Sequence, residues 1–194
     1  MTRLELPKDI QFFSVADLNK RGYSYYLINR MVEKGMLRKM TKSVYENQLY
    51  DGDTSDFAYV NVFAPRAVIG LMSAARYYHL TTYLPDAVDI AVGNSMKVSS
   101  IPDWPSFHVY YFSQERYETG VVEGSEEAAV FRIYDMEKTV ADILSYRNKV
   151  GIEETKEVLR NYLQLPGRDL NKLHRYSEKL GSEAILRTYL EVLL

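Results

Sequence analysis

The sequence predicts an α+β protein in two parts. A small N-terminal head of two helices and a hairpin precedes a larger body made of a small sheet and a helical bundle. Three observations lead there. Residues 12–47 read as helix, tight turn, helix, strand, turn, strand. Residues 88–134 hold short β-branched and aromatic runs, such as VDIAV and FHVYYF, separated by turn residues. The last 60 residues carry apolar side chains at helical spacing between Gly and Pro breaks.

In the head, Ser14 precedes a helix and Asp17 follows it by three. This is the capping-box spacing, in which hydroxyl and carboxylate each satisfy a free backbone N–H. Val15 and Leu18 face inward, Gly22 ends the helix, and Ser24 caps the next one. The second helix, from about Tyr25 to Lys34, has Leu27, Ile28, Met31 and Val32 on one stripe. Its other face therefore carries Tyr25, Tyr26, Asn29, Arg30 and Glu33. Gly35 closes it, with Lys34 in its last turn. Met36 to Met40, a Thr41-Lys42 turn and Ser43 to Asn47 follow as strand, turn, strand, with Arg38, Lys39 and Lys42 on or near the tip. Two short helices around a Gly-containing turn, followed by a basic hairpin, outline a winged helix-turn-helix. Arg and Asn read guanine and adenine edges bidentately, and Tyr and Lys reach phosphate.

Charge is distributed unevenly. Residues 1–50 contain nine basic and five acidic residues, a balance of +4, whereas residues 51–194 hold 15 basic and 21 acidic, a balance of −6. A basic head on an acidic body is expected when only the head meets phosphate. The turn-forming, acidic stretch YDGDTS, Tyr50 to Ser55, marks the boundary between a DNA-binding domain of residues 1–50 and a body of residues 51–194.

In the body, Phe57 to Phe63 reads as a short helix stopped by Pro65, and Val68 to Leu80 as one buried helix. Strands are expected at Val88 to Val92, Phe107 to Phe112, Val121-Val122 and Val130 to Tyr134. A loop at Gly93 to Pro105 and a turn at Ser113 to Thr119 separate them. Asp135 caps a helix whose Met136, Val140, Ile143 and Leu144 share a face. Helices from about Ile152 to Leu163, after Asp169 and after Ser182 complete the bundle.

Composition excludes several classes. There is no cysteine, so no disulfide, thiolate metal site or cysteine nucleophile, in keeping with a reducing cytoplasm. No apolar run approaches the roughly 20 residues of a membrane span, and the N-terminus does not read as a signal peptide. His79, His108 and His174 share no metal-ligand spacing, and no phosphate-binding glycine loop occurs. Gly93-Asn94-Ser95 and the Asp86, Asp89, Lys97 set are incomplete versions of nucleotidyltransferase and nuclease patterns. Neither an enzyme nor a cofactor or metal requirement is therefore expected.

The segments GYS with RMVEKGMLRKMTKSVYEN, PRAVIGLMSAARYYHLTTYLPDAVDIAV and IYDMEKTVADIL, in this order and across most of the chain, resemble the AbiEi family, antitoxins of type IV toxin–antitoxin abortive-infection systems. The resemblance implies a cytoplasmic phage-defence antitoxin that represses its own operon by binding double-stranded DNA repeats in the promoter. It also implies a nucleotidyltransferase-like toxin as functional partner, with no stable direct complex required. Mapped onto this chain, the family's DNA face falls on Ser24, Tyr25, Tyr26, Asn29, Arg30, Arg38, Lys39 and Lys42. Lys20 and Arg21 sit beside it as phosphate contacts, and Lys34 at the helix end. Two features depart from the family pattern: Lys42-Ser43 replaces Arg-Gly in the wing, and the first helix of the fold is either truncated or supplied by Pro7 to Phe12. A ligand-responsive transcription regulator with a sensing body is the alternative, separable by the neighbouring gene.

Overall fold

The computed structural model describes residues 5–98 and 101–193. The head contains β1 (Phe12–Ser14), α1 (Val15–Lys20), α2 (Tyr25–Glu33), β2 (Leu37–Lys39) and β3 (Val44–Asn47). The three strands form one antiparallel sheet in the order β1-β3-β2. The Pro7 to Phe12 stretch thus adds no helix and leads into the strand at one edge of this sheet. Phe13, Tyr45 and Leu37 point from one sheet face into a core completed by Leu18 and Ile28, all at most 2 % exposed. The other face carries Phe12, Arg38 and Glu46, which lie side by side across the three strands.

The body begins with α3 (Asp56–Phe63), β4 (Val68–Ile69), α4 (Leu71–Tyr77) and β5 (Val88–Gly93). Next come β6 (Phe107–Phe112), α5 (Gln114–Glu118), β7 (Val121–Glu126) and β8 (Ala129–Tyr134). Its sheet is mixed, in the order β6-β5-β4-β8-β7, with β4–β8 and β5–β6 parallel. Four helices follow: α6 (Met136–Val150), α7 (Ile152–Gln164), α8 (Leu170–Lys179) and α9 (Glu183–Leu193). Helix α3 packs with the sheet around Phe57, Val60, Ile90 and Ile133. A second core joins α4 to the bundle through Leu71, Ala75, Val140, Leu144, Leu159 and Leu173. The chain is therefore α+β.

Two body elements differ from expectation. Val68 to Leu80 is not one helix. Val68 and Ile69 pair with Ala91 and Ile90 of β5, and Ile69 also with Ile133 of β8, so a two-residue strand fills the middle of the sheet. Gly70 then lets the chain pass the Tyr134 ring, which a Cβ there would approach to 3.2 Å. Ser113 to Thr119 is not a simple turn, because Ser113 Oγ caps a one-turn helix by accepting the Arg116 N–H at 3.4 Å.

Helix α6 is the pivot of the bundle. Asp135 caps it by accepting the Lys138 N–H at 2.9 Å. Asp142, fully buried, takes the ammonium of the equally buried Lys138 on one oxygen. Its other oxygen takes Arg116 Nη1 at 2.7 Å. The same guanidinium donates to the Leu180 carbonyl at 2.7 Å, tying α5 to the end of α8. Burial pushes the Asp142 carboxyl upward and the Lys138 ammonium downward, and the Lys138–Asp142 attraction opposes both shifts.

Candidate nucleic-acid interface

The head presents α2 to solvent in the manner its sequence implies. Ser14 and Asp17 form the reciprocal capping box, and Ser14's hydroxyl and N–H hold the Asp17 carboxyl below its usual range. Gly22 takes a positive φ of 87°, and Ser24 Oγ accepts the Leu27 N–H at 3.4 Å to start α2. Ile28 and Met31 then face the head core, and the opposite side is left to water. Tyr25 and Tyr26 are 66 % and 70 % exposed, and Ser24, Asn29 and Arg30 are exposed beside them. Among the described residues none of these four α2 side chains is taken up by a hydrogen bond or ion pair.

Lys20, Arg21, Lys34, Lys39 and Lys42 are also exposed. Lys20 closes α1, and the Arg21 guanidinium lies over the Phe13 ring at 5.6 Å. Lys34 is the C-cap of α2. Lys39 pairs with Tyr45, so its side chain leaves the sheet on the face that α2 covers. Lys42 lies in the β2–β3 connection, whose shape is set by Thr41 Oγ1 accepting the Ser43 and Val44 N–H groups at 3.3 and 3.1 Å.

Arg38 is the exception among the expected contacts. Strand alternation turns it to the sheet face opposite α2. There its Nε and Nη2 bond Glu46 Oε2 at 2.8 and 2.6 Å. Glu46 is only 6 % exposed, and it also accepts Gln48 Nε2 at 2.9 Å and, on Oε1, the Tyr59 hydroxyl of α3 at 2.5 Å. Burial and the adjoining carboxylate push the Tyr59 hydroxyl up to about 12, so it stays protonated and donates. Glu46 and Tyr59 were missed from the sequence. The expected two-residue turn sets Tyr45 and not Glu46 opposite Arg38, so the pairing became visible only with the observed register.

Asp89 is buried and engaged by the Met72 N–H at 3.0 Å, with His108 Nδ1 at 3.4 Å. Among the described residues, no three His, Asp or Glu side chains are grouped to hold a metal ion. No helix among them is long and apolar enough to cross a membrane. The body does hold an open cavity of about 780 Å³, whose lining includes Asp56, Arg76, Tyr77, Trp104 and Glu126. Burial raises the Asp56 carboxyl there, with Arg76 opposing and Glu126 adding to the shift.

The geometry defines an α+β chain with a solvent-directed helix on a small head whose charge balance is basic. No protein-family model matches the chain, and no curated protein matches it. Among solved structures it is similar to the crystal structure of the Rv2827c protein from Mycobacterium tuberculosis. That match has a TM-score of 0.50 at 12 % sequence identity, and it covers 94 % of this chain and 76 % of that one. At that identity the likeness concerns the fold alone.

Proposed function

We propose that this protein binds double-stranded DNA through a winged helix-turn-helix formed by the head. On this reading α2 is the recognition helix and the β2–β3 hairpin the wing. The observation that carries the reading is the outward face of α2. Two tyrosines, an asparagine and an arginine stand exposed on α2 together with Glu33, and Lys20, Arg21, Lys34, Lys39 and Lys42 are exposed on the same head. Tyr hydroxyls suit phosphate, and Asn and Arg suit base edges. The resemblance of the sequence to AbiEi antitoxins supplies the biological setting: a cytoplasmic type IV antitoxin that represses its own promoter and opposes a nucleotidyltransferase-like toxin. Electrophoretic mobility shift with the DNA upstream of its own gene, against random duplex of equal length, tests it. Tighter binding to the upstream DNA is expected, and equal or absent binding removes the reading. Co-expression with the adjacent gene, scored by growth, tests the antitoxin role.

A second reading is favoured by the cavity, whose size suits a small molecule. On it, the body senses a ligand and the head responds. Trp104, the single tryptophan, stands on the cavity wall, so its emission reports any occupant.

A further inference from the structure

Head and body meet at one buried carboxylate. Glu46 sits in the central strand of the head sheet and receives donors from three places: Arg38 of β2, Gln48 beyond β3, and Tyr59 of α3 in the body. The contact continues in aromatic rings. Phe12 of β1 meets Tyr59 edge-on at 5.2 Å, and Trp104 meets the other side of this junction, edge-on to Tyr59 at 5.9 Å. Phe12 and Met40 of the head pack against the body core. A carboxylate so buried is costly while it lacks a donor, so removing the Tyr59 hydroxyl from the packed seam weakens the hold of head on body.

We propose that Glu46 is a positioning residue that pins head and body into one cooperative unit and sets the bearing of the β2–β3 hairpin. Arg38 then serves the pin and not the DNA face. The pin itself stands on the geometry above. Its consequence for DNA rests on the proposed DNA-binding reading: a duplex held by the head is felt at Trp104, two rings away, through Glu46 and Tyr59.

The test uses the full chain. Hydrogen exchange followed by mass spectrometry compares the head strands at Phe13 and Tyr45 with the body strand at Ile90 and Ala91. In the unaltered protein the two are expected to open together. Tyr59→Phe removes one hydroxyl and keeps the ring packing, so it serves where Glu46→Gln fails to fold. Both variants should speed exchange in the head about ten-fold or more and leave β5 unchanged. Arg38→Met combined with Tyr59→Phe should depart from the product of the single effects, because both act on one carboxylate. Unchanged head exchange in Tyr59→Phe, or strictly multiplicative effects, overturns the pin. Separately, duplex DNA should alter Trp104 emission, and Tyr59→Phe should at least halve that response. Binding that leaves Trp104 unaffected overturns the relay. A chain that binds no DNA removes the functional reading, and the exchange result still decides the pin.

Discussion

Arg30 and Lys42 are both exposed cations of the head, yet the proposed DNA reading gives them different roles. Arg30 stands on α2 beside Asn29, where a planar fork can match a base edge. Lys42 stands in the hairpin connection, where on the proposed reading its ammonium would meet phosphate. Arg30→Ala or Asn29→Ala is therefore expected to weaken binding to the promoter repeat more than to random duplex, by about 1–3 kcal/mol per base contact. Lys39→Ala and Lys42→Ala should weaken both alike. Paired affinity measurements on the two DNAs check this, and an unchanged promoter affinity for Arg30→Ala would reassign the recognition helix. Glu157 makes a different residue-scale case. The Thr82 N–H at 3.0 Å, with the Thr81 and Thr82 hydroxyls, holds its carboxyl below the usual range. A depressed folded value means stability that is present above the unfolded value and lost as pH falls through the folded one. Glu157→Gln should accordingly flatten the decline in urea stability between about pH 5 and pH 3.

At the scale of elements, α6 concentrates the ionic risk of the fold. Lys138 and Asp142 are one turn apart, both wholly buried, and Arg116 closes the group from α5. Removing Asp142 leaves the Lys138 and Arg116 charges without compensation. Asp142→Ala is expected to lower stability by about 3–5 kcal/mol in urea titration, whereas Lys138→Met with Asp142→Leu should cost far less than the sum of the single changes. An equally severe loss in the double variant would show that packing, and not charge, governs the site. Gly120 belongs to the same arrangement. It has a φ of 74°, and a Cβ there would stand 2.7 Å from Lys138 Cβ, so only glycine admits the buried lysine.

For the whole molecule, the +4 head on the −6 body makes a prediction about salt. Log affinity for duplex DNA should fall linearly with log salt, by about 0.9 for each phosphate neutralised. Five of the expected cations outside α2 form no ion pair among the described residues, and Arg38, held by Glu46, is not among them. Arg38→Gln should therefore leave the salt slope nearly unchanged, whereas Lys39→Ala and Lys42→Ala should each reduce it by about one phosphate. A flat salt dependence would place the interaction away from the basic head.

What could be read along the chain was what depends on near neighbours. The Ser14–Asp17 capping box, the Ser24 cap, the stripe with Ile28 and Met31, and the Asp135 cap of α6 each rest on residues within four positions of one another. Backbone groups must be satisfied locally whatever the rest of the chain does. The exposed face of α2 followed from the same periodicity. Register and pairing did not. A two-residue Thr41-Lys42 turn would set Met40 against Ser43 and Arg38 against Tyr45. The observed connection is longer, Met40 N–H bonds the Val44 carbonyl at 3.0 Å, and Arg38 falls opposite Glu46 instead. A shift of one residue sends every side chain of the strand to the other face of the sheet. With Leu37 held in the head core, alternation along β2 turns Arg38 to the seam with the body, and the register is what sets Glu46 opposite it there. In the same way, Val68 and Ile69 carry apolar side chains compatible with a helix, and only β5 and β8 on either side make them a strand. Caps and amphipathic stripes are settled by short-range contacts within one segment, whereas a strand's partner, its register and the meeting of head with body depend on residues far apart in the chain, brought together only when the sheet and its two cores assemble.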